Sequence, residues 1–219
     1  PLRWPSIFTN KEVAFTSFTA ANVGYEVSWS EDFLKEAEGL PIKNIILKSK
    51  LGEMPGEIMI TRYGLEGTPV YSLKEPQTIV IDLKPDLTLE QVLQKLSSAS
   101  EKLSINRLVK KYLNLCPASL ALIYHHGPKL TGDGLKETAE LIKNFPIKLL
   151  NKRGLEEAIS SAGGISWQGL DEGLMLKKYP GIFVAGEMID WSAPTGGFLI
   201  QACVSQGFVA GKAILDFVN

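Results

Sequence analysis

The sequence predicts an α+β fold, because three consecutive stretches differ in their periodicity. From about Phe15 to Leu83, short runs rich in Ile and Val alternate with Gly and Pro, which is typical of β-strands separated by turns. From about Thr88 to Phe145, apolar residues recur at helical spacing. The remaining residues return to short apolar runs and end in one long apolar segment, which indicates strands followed by a helix.

In the first stretch, three runs are predicted as strands: Ile42–Leu47, Glu57–Arg62 and Thr78–Leu83. Each is short, rich in Ile or Val, and bounded by Gly or Pro. A brief helix is predicted to begin at Ser30, because the two residues after it are acidic and the N-terminal end of a helix dipole favours negative charge.

The second stretch predicts four helices. Thr88 and Gln91 have the spacing of a capping box that opens the first helix. The second is predicted over Glu101–Leu113. Pro117 opens the third, because a missing N–H costs nothing at the first helical position. The fourth is predicted over Gly134–Phe145, where the proline that follows ends it.

The third stretch predicts strands at Pro146–Leu150 and Ile159–Ile165, although residues 154–160 are equally compatible with a helical turn. Gly181–Ala185 is a continuous apolar run, as expected of a strand buried on both faces. A final helix is predicted over Phe198–Phe217.

Composition excludes several classes of protein. Hydrophobic residues make up 45% of the chain and charged residues 21%, as in ordinary globular proteins, and 219 residues bury a core without a metal or disulfide staple. The net charge of −1 argues against a whole-surface attraction to nucleic acid or an anionic membrane. The two cysteines, Cys116 and Cys203, lie far apart, so neither a disulfide framework nor a zinc site is predicted.

These features favour a soluble, cytoplasmic protein. The longest apolar region, from Gly196 to Leu215, is a poor membrane span because polar side chains interrupt it. Pro1 is no natural first residue, and the opening residues have the character of mid-chain sequence, so we expect the chain to be a fragment.

The run Gly181–Gly211 carries the predicted chemistry. A buried strand ending at Gly186 would place the carboxylate of Glu187 at its C-terminal edge, where ligands bind in open parallel sheets. Asp190 lies in the loop that follows. Glu187 is well placed to accept a hydrogen bond from a ribityl or ribose hydroxyl.

Thr195, Gly196 and Gly197 then open the last helix, followed by Phe198. Two glycines permit a flat ligand to approach the backbone, and the unpaired first-turn amides suit an electron-rich ligand atom. A flavin provides such an atom, because the reduced isoalloxazine carries negative charge near N1 and O2. The predicted cofactor-binding residues share this run: Gly186, Glu187, Asp190, Thr195, Gly196, Gly197 and Phe198.

With these residues, the chain resembles bacterial NAD(P)/FAD-dependent oxidoreductases of the two-dinucleotide-binding-domain kind, which include the bile-acid-inducible flavoprotein group. The resemblance rests on Ala162–Ile165, on Pro180–Glu187 with Asp190, and on Thr195–Phe198. Two earlier motifs, residues 21–25 (ANVGY) and 61–67 (TRYGLEG), follow in family order.

The resemblance implies a Rossmann-like FAD domain split by a small β-barrel that contains a nested helical subdomain. The barrel would comprise residues 1–85 and 146–168, the helical subdomain 86–145, and the returning part of the FAD domain 169–219. The Gly-x-Gly-x-x-Gly turn of the family has no match here, so we expect a missing N-terminal dinucleotide-binding half and little activity of this piece alone.

The function that follows is hydride transfer between a nicotinamide, FAD and an unsaturated or carbonyl-conjugated small molecule, or a base-like substrate. No catalytic residue is assigned. Glu66 and Tyr71 follow the second early motif and either face the substrate or belong to a turn built on glycines. His125 and His126 are adjacent, so their side chains diverge and no metal site is predicted.

A second hypothesis is a non-catalytic module that binds RNA or protein. The predicted second helix carries a basic run, Lys102, Arg107, Lys110 and Lys111, which would contact a polyanion. Such runs are more often solvated helix faces. Salt-dependent RNA binding without flavin would distinguish this module from the enzyme.

Overall fold

The computed structural model describes residues 4–9, 12–98, 104–127 and 134–219. Pro1, on which the expectation of a fragment rests, and Lys102 of the basic run lie outside these residues. The chain divides into two compact units, one formed by Gly24–Lys152 and the other by Pro1–Val23 with Arg153–Asn219. The α+β class is confirmed, and the domain boundaries given above stay a prediction.

Strands and helices of the described residues are numbered here in chain order. The strands are β1 (Phe15–Ala20), β2 (Tyr25–Glu26), β3 (Pro41–Ser49), β4 (Gly52–Thr61), β5 (Gly64–Glu66), β6 (Thr78–Asp82), β7 (Phe145–Lys148) and β8 (Ser161–Ile165). The α-helices are α1 (Pro5–Thr9), α2 (Glu31–Ala37), α3 (Thr68–Tyr71), α4 (Leu89–Ser97), α5 (Ile105–Leu113), α6 (Pro117–His126), α7 (Leu135–Lys143) and α8 (Phe198–Val218). Short 3-10 helices lie at Leu155–Glu157, Trp167–Gly169 and Gly186–Met188.

The unit Gly24–Lys152 contains a six-stranded antiparallel sheet with the order β2-β5-β4-β3-β6-β7. Its two ends are joined through the residues that follow β7. The Leu150 amide donates to the Glu26 carbonyl and the Glu26 amide donates to the Asn151 carbonyl, both at 2.8 Å. These bonds, made by residues 150–151, curl the row of strands into a small barrel.

The barrel interior is filled by the Ile and Val-rich strands that the sequence predicts. Ile58 and Ile60 of β4 and Ile79 and Ile81 of β6 are fully buried at every second position, as strand alternation requires. Tyr25 is also fully buried, and its hydroxyl donates to the Leu73 carbonyl at 2.8 Å. The core therefore accepts one phenol because its polar tip has a partner.

The helix starts follow the predicted signals. Ser30 caps α2 by accepting from the Phe33 amide, and Thr88 and Gln91 form both bonds of the capping box on α4. Pro117 is the first residue of α6. In the described residues α5 begins at Ile105, and residues 101–103 of its predicted start lie outside them.

The predicted end of the fourth helix is wrong by two residues. Helix α7 ends at Lys143, and Phe145 begins strand β7 instead. The residue before a proline is driven towards extended backbone, and Pro146 imposes this on Phe145. The Phe145 side chain is 1% exposed, so its burial in the barrel core stabilises the strand conformation.

A buried ion pair links α7 to the barrel. Lys143 Nζ lies 2.7 Å from Asp82 Oδ2 at the end of β6, and the two side chains are 13% and 7% exposed. The same ammonium donates to the Lys84 and Leu87 carbonyls at 2.8 and 2.5 Å. The charge is thus fully surrounded by acceptors, as a desolvated ammonium requires.

In the other unit, β1 pairs with β8 in a two-stranded antiparallel sheet. Both structures left open for residues 154–165 occur in succession, since a 3-10 helix at Leu155–Glu157 precedes strand β8. Ile165 at the end of β8 forms an isolated parallel bridge with Ile189, and both side chains are fully buried.

The predicted buried strand over Gly181–Ala185 is wrong. Within this segment only Phe183 forms a β-bridge, an isolated one with Met175. A strand exists through pairing along its length, and apolar composition alone does not provide it. Val184 is nevertheless buried, so the segment belongs to the unit's core as a loop.

Helix α8 has the predicted extent but an unusual surface. Its packed side is made of residues spaced three or four apart, among them Cys203, Gln206 and Ala210, and only Ala210 is fully buried. The opposite side carries an exposed apolar row at the same spacing: Ile200, Val204, Phe208 and Leu215. By length and composition alone, the helix is long and apolar enough to span a membrane, which corrects the expectation that polar side chains make it a poor span; 6% of its apolar window is buried.

Candidate functional site

The Ala185-Gly186-Glu187 turn packs on α8. The Gly186 amide donates to Gln206 Oε1 at 2.7 Å, and Gly186 has a positive φ of 77°. A Cβ at this position would lie 3.7 Å from Cys203 Sγ. Cys203 is five residues into α8, about 7.5 Å along the axis from its first residue. The Ala185-Gly186-Glu187 segment therefore contacts α8 within about two helical turns of its first residue.

Glu187 is exposed and lines a cavity of this unit. Its Oε1 accepts from the Ser161 amide at 3.4 Å, a long and weak hydrogen bond that leaves most of the carboxylate's acceptor capacity available. The cavity has a volume of about 420 Å³ and is lined by Trp4, Phe18, Ser161, Glu187 and Met188. The Trp4 and Phe18 rings meet edge to face with centroids 5.5 Å apart.

Asp190 joins three parts of the unit. Its amide donates to the Ile165 carbonyl at 2.8 Å, its carbonyl accepts from Trp167 Nε1 at 2.9 Å, and its carboxylate accepts from Thr16 Oγ1 at 2.9 Å. The carboxylate therefore holds β1 against the loop after the Glu187 turn, a role that the sequence did not predict.

The paired glycines form the start of α8 as predicted. Gly196 and Gly197 have φ of 122° and 88°, which only glycine adopts without strain. Gly197 is the N-cap, and its carbonyl accepts the Gln201 amide at 3.0 Å. Gly197 itself has no side chain with which to cap the helix. The first-turn amides have no partner within the helix, as at any helix start, so they are the donors that an external acceptor would meet, with Phe198 exposed beside them.

Space around the glycines is open. A Cβ at Gly197 would meet no atom within 4 Å, and one at Gly196 would meet only the Phe198 ring, at 3.4 Å. Thr195, the remaining predicted residue, is half-buried. All seven predicted residues thus lie in one compact unit, and their role in holding a cofactor stays a prediction.

Asn22 is a buried polar residue that the sequence did not single out as functional. Its Nδ2 donates to Ser160 Oγ at 2.6 Å and to the Ala193 carbonyl at 2.8 Å. Ala193 lies two residues before Thr195. The only signal in the sequence was the position of Asn22 in the ANVGY motif.

Glu66 and Tyr71 lie in the barrel unit and form a carboxylate clamp with Tyr63. The Tyr63 hydroxyl donates a short hydrogen bond to Glu66 Oε1, and the Tyr71 hydroxyl donates to Oε2 at 3.3 Å. Burial, together with the Glu66 charge, raises the pKa of both phenols. Gly24 packs on this clamp, since a Cβ there would lie 2.5 Å from the Tyr63 hydroxyl. Glu66 is therefore more than a solvated residue of a turn.

The two histidines have separate partners. His125 Nε2 lies 3.1 Å from Glu36 Oε1, and His126 Nε2 accepts from the Ser30 amide at 3.4 Å. Burial lowers the pKa of His126. Across the described ranges, no group of three or more His, Cys, Asp and Glu side chains is arranged to hold a metal ion.

The basic residues of α5 that the structure describes, Arg107, Lys110 and Lys111, are exposed. Lys111 Nζ lies 5.5 Å from the centroid of the Tyr112 ring. Lys110 also lines a cavity of about 330 Å³ together with Glu36, so the charge of this cavity is mixed.

Chemically, the Glu187 turn and the start of α8 combine hydrogen-bond acceptors with the amide donors of a helix start. The carboxylate suits a hydroxyl-bearing ligand, and the amides at the positive end of the helix dipole suit an electron-rich atom. Aromatic rings line the adjoining cavity. This set fits a cofactor with a flat ring and a polyhydroxyl chain.

Comparison with known proteins identifies the family. Residues 19–160, more than half of the chain, match the family model described as HI0933-like protein barrel and H2TH domain. The chain is also similar to the 3-dehydro-bile acid delta(4,6)-reductase of Clostridium scindens, with 22% identity over 199 residues that cover 76% of this chain and 46% of the reductase. It thus spans about half the length of that curated relative. The chain therefore belongs to the HI0933-like family, within the FAD-dependent oxidoreductases that its motifs resemble.

Proposed function

We propose that the whole protein is an FAD-dependent oxidoreductase that transfers hydride between a nicotinamide, flavin and an unsaturated or carbonyl-conjugated small molecule. This chain would supply one wall of the flavin site. The similarity to a 3-dehydro-bile acid delta(4,6)-reductase supports the class of reaction.

One observation carries the proposal: the Glu187 turn is fixed to α8 close to an uncapped helix start built from two glycines. Such a helix start provides several backbone donors without a side chain in the way. A Cβ at Gly197 would meet no atom within 4 Å. Its positive φ already favours glycine, and the open space beside it would also let a ligand approach the backbone.

Three of the predicted features have distinct roles in this proposal. The first-turn amides after Gly197 would hold the electron-rich pyrimidine edge of the flavin, and Glu187 would accept a hydrogen bond from its polyhydroxyl chain. Asp190 would fix the loop between them through Thr16 and Ile165. The flavin, when bound, supplies the hydride chemistry, and the protein binds and orients it.

The exposed apolar row of α8 supports a second element of the proposal. Large apolar side chains such as Phe208, which is 76% exposed, are normally covered. We propose that the dinucleotide-binding half of the whole protein packs on this row and completes the site. A reduced nicotinamide is the proposed electron donor, and the cytoplasm the proposed location.

Purification of the full-length protein tests the proposal. We expect visible flavin absorbance, FAD on release from the denatured protein, and oxidation of that flavin by a conjugated enone after reduction with NADH or NADPH. Colourless protein that does not take up added FAD would contradict it. Salt-dependent RNA binding by such colourless protein would favour the alternative of a binding module with a basic helix.

A further inference from the structure

We propose that Asn22 is a positioning residue for the cofactor site: its side chain fixes the peptide plane from which the Thr195-Gly196-Gly197 turn starts. The inference rests on the proposed function, because the turn is assigned to the flavin. It goes beyond it by giving a role to a residue that touches none of the predicted cofactor contacts.

Asn22 itself is firmly anchored. Its side chain is 6% exposed, and its carbonyl accepts from the Ile159 amide at 2.8 Å. The neighbouring Ala21 amide donates to the Ser160 carbonyl at 3.0 Å. The backbone around Asn22 is therefore hydrogen-bonded to the segment that leads into β8, so the side chain of Asn22 extends from a fixed backbone position.

The side chain of Asn22 then reaches the loop that precedes α8. Nδ2 donates to the Ala193 carbonyl at 2.8 Å, and its second proton satisfies Ser160 Oγ at 2.6 Å. An amide nitrogen has two protons, so both are used. A buried amide is costly unless paired, and here the pairing selects one orientation of the Ala193 carbonyl.

The fixed carbonyl constrains the residues that follow. The Ala193 carbonyl and the Pro194 nitrogen share one planar peptide unit, and the proline ring locks the next φ near roughly −65°. Only the ψ of Pro194 and the two backbone torsions of Thr195 then separate the fixed plane from Gly196. Asn22 thus constrains the backbone that leads into the start of α8, and the torsions of Gly196 and Gly197 complete the turn.

This role differs from that of an ordinary core residue. A purely structural asparagine would affect only the stability of the fold. A positioning residue would also change the affinity for flavin and the relative affinities for its oxidised and reduced forms, because the helix-start amides favour the negatively charged reduced ring.

The test uses the full-length protein and three variants, N22S, N22A and S160A. N22A removes both hydrogen bonds, and N22S leaves a shorter side chain that cannot span to both partners. S160A is the matched control, because it removes one partner of the amide and keeps the bond to Ala193. FAD dissociation constants, the reduction potential of the bound flavin and thermal unfolding of the flavin-free protein are measured for each.

We expect N22A to bind FAD about tenfold more weakly, with a lower reduction potential, and S160A to remain within about twofold of the unchanged protein. If N22A does not fold, the same pattern in N22S supports the proposal. Wild-type affinity and potential in a folded N22A or N22S protein would overturn it. A wild-type protein that binds no FAD would instead refute the proposed function on which it rests.

Discussion

Gly197 shows how a single residue serves two requirements. Its φ of 88° is a left-handed conformation that costs an alanine roughly 1–2 kcal/mol, and the space beside it is empty of protein atoms. The sequence identified this glycine by its place between a polar loop and an apolar helix. It did not identify Asn22, because a buried asparagine and an exposed one look the same in a sequence.

We expect G197A to lose flavin from the full-length protein, because the added methyl group would occupy space that the flavin needs. The matched control is G39A. Gly39 also has a positive φ, 77°, and a Cβ there would meet nothing within 4 Å. Both variants should lose similar stability in thermal unfolding. Equal flavin content in the two purified proteins would show that the start of α8 does not contact the cofactor.

The raised pKa of Tyr25 predicts that the stability of the fold falls at alkaline pH. Burial raises its pKa to about 12, so the folded protein keeps the phenol protonated where the unfolded chain, with a pKa near 10, loses the proton. The stabilisation is therefore complete below pH 10 and is lost as the pH rises towards 12. We expect the free energy of unfolding in urea to fall over this range.

Replacement of Tyr25 by phenylalanine should reduce that fall. Y25F should also cost about 1 kcal/mol at pH 8, because the Leu73 carbonyl loses its donor. Tyr124 is 65% exposed, and Y124F should change stability at pH 8 by only a few tenths of that amount. An alkaline fall of equal size in Y25F and in the unchanged protein would contradict this assignment.

Among the elements, signals within one helical turn predicted where the helices begin. Whether an apolar segment forms a strand depended instead on its pairing with another segment. The capping box at Thr88 and the proline at the start of α6 are determined by contacts within one helical turn, so the sequence contains them completely. The segment Gly181–Ala185 has the composition of a strand, yet its pairing partner is a matter of tertiary structure. The sequence predicted the edge of a parallel sheet near Glu187. The structure has one isolated parallel bridge there, between Ile165 and Ile189.

The attachment of α7 to the barrel depends on the pair formed by Lys143 and Asp82. We expect K143M to lose about 3–5 kcal/mol of unfolding free energy, because it leaves a buried carboxylate without its counter-charge. The double variant K143M/D82L should regain most of that loss. The control K136M removes a lysine that is 72% exposed and should change stability by less than about 1 kcal/mol. A K143M protein as stable as K136M would contradict the role of the buried pair.

At the scale of the whole molecule, the sequence predicted the class of fold and the order of its parts. It could not predict that residues 150–152 pair with β2, because closure of the barrel joins segments about 125 residues apart. Nor could it predict that β1 and β8 pair with each other in the other unit. Patterns along the chain report which face of an element is apolar, and only the packed structure shows what covers it.

Charged substitutions on α8 test whether the rest of the whole protein covers the apolar row of this helix. In the full-length protein, F208D should lower the free energy of unfolding by at least about 2–3 kcal/mol, because a charge would replace a buried ring. S205D places the same charge on the polar side of the helix and should be nearly neutral. Equal stability of the two variants would show that the row stays open to solvent.

Amide hydrogen exchange of the full-length protein, with FAD bound and after its removal, tests the central claim most directly. We predict that FAD slows exchange in two segments of this chain, residues 186–190 and 196–201, and leaves helix α5 unchanged. If FAD binds stoichiometrically while exchange in both segments stays the same, the Glu187 turn and the start of α8 do not form a wall of the flavin site.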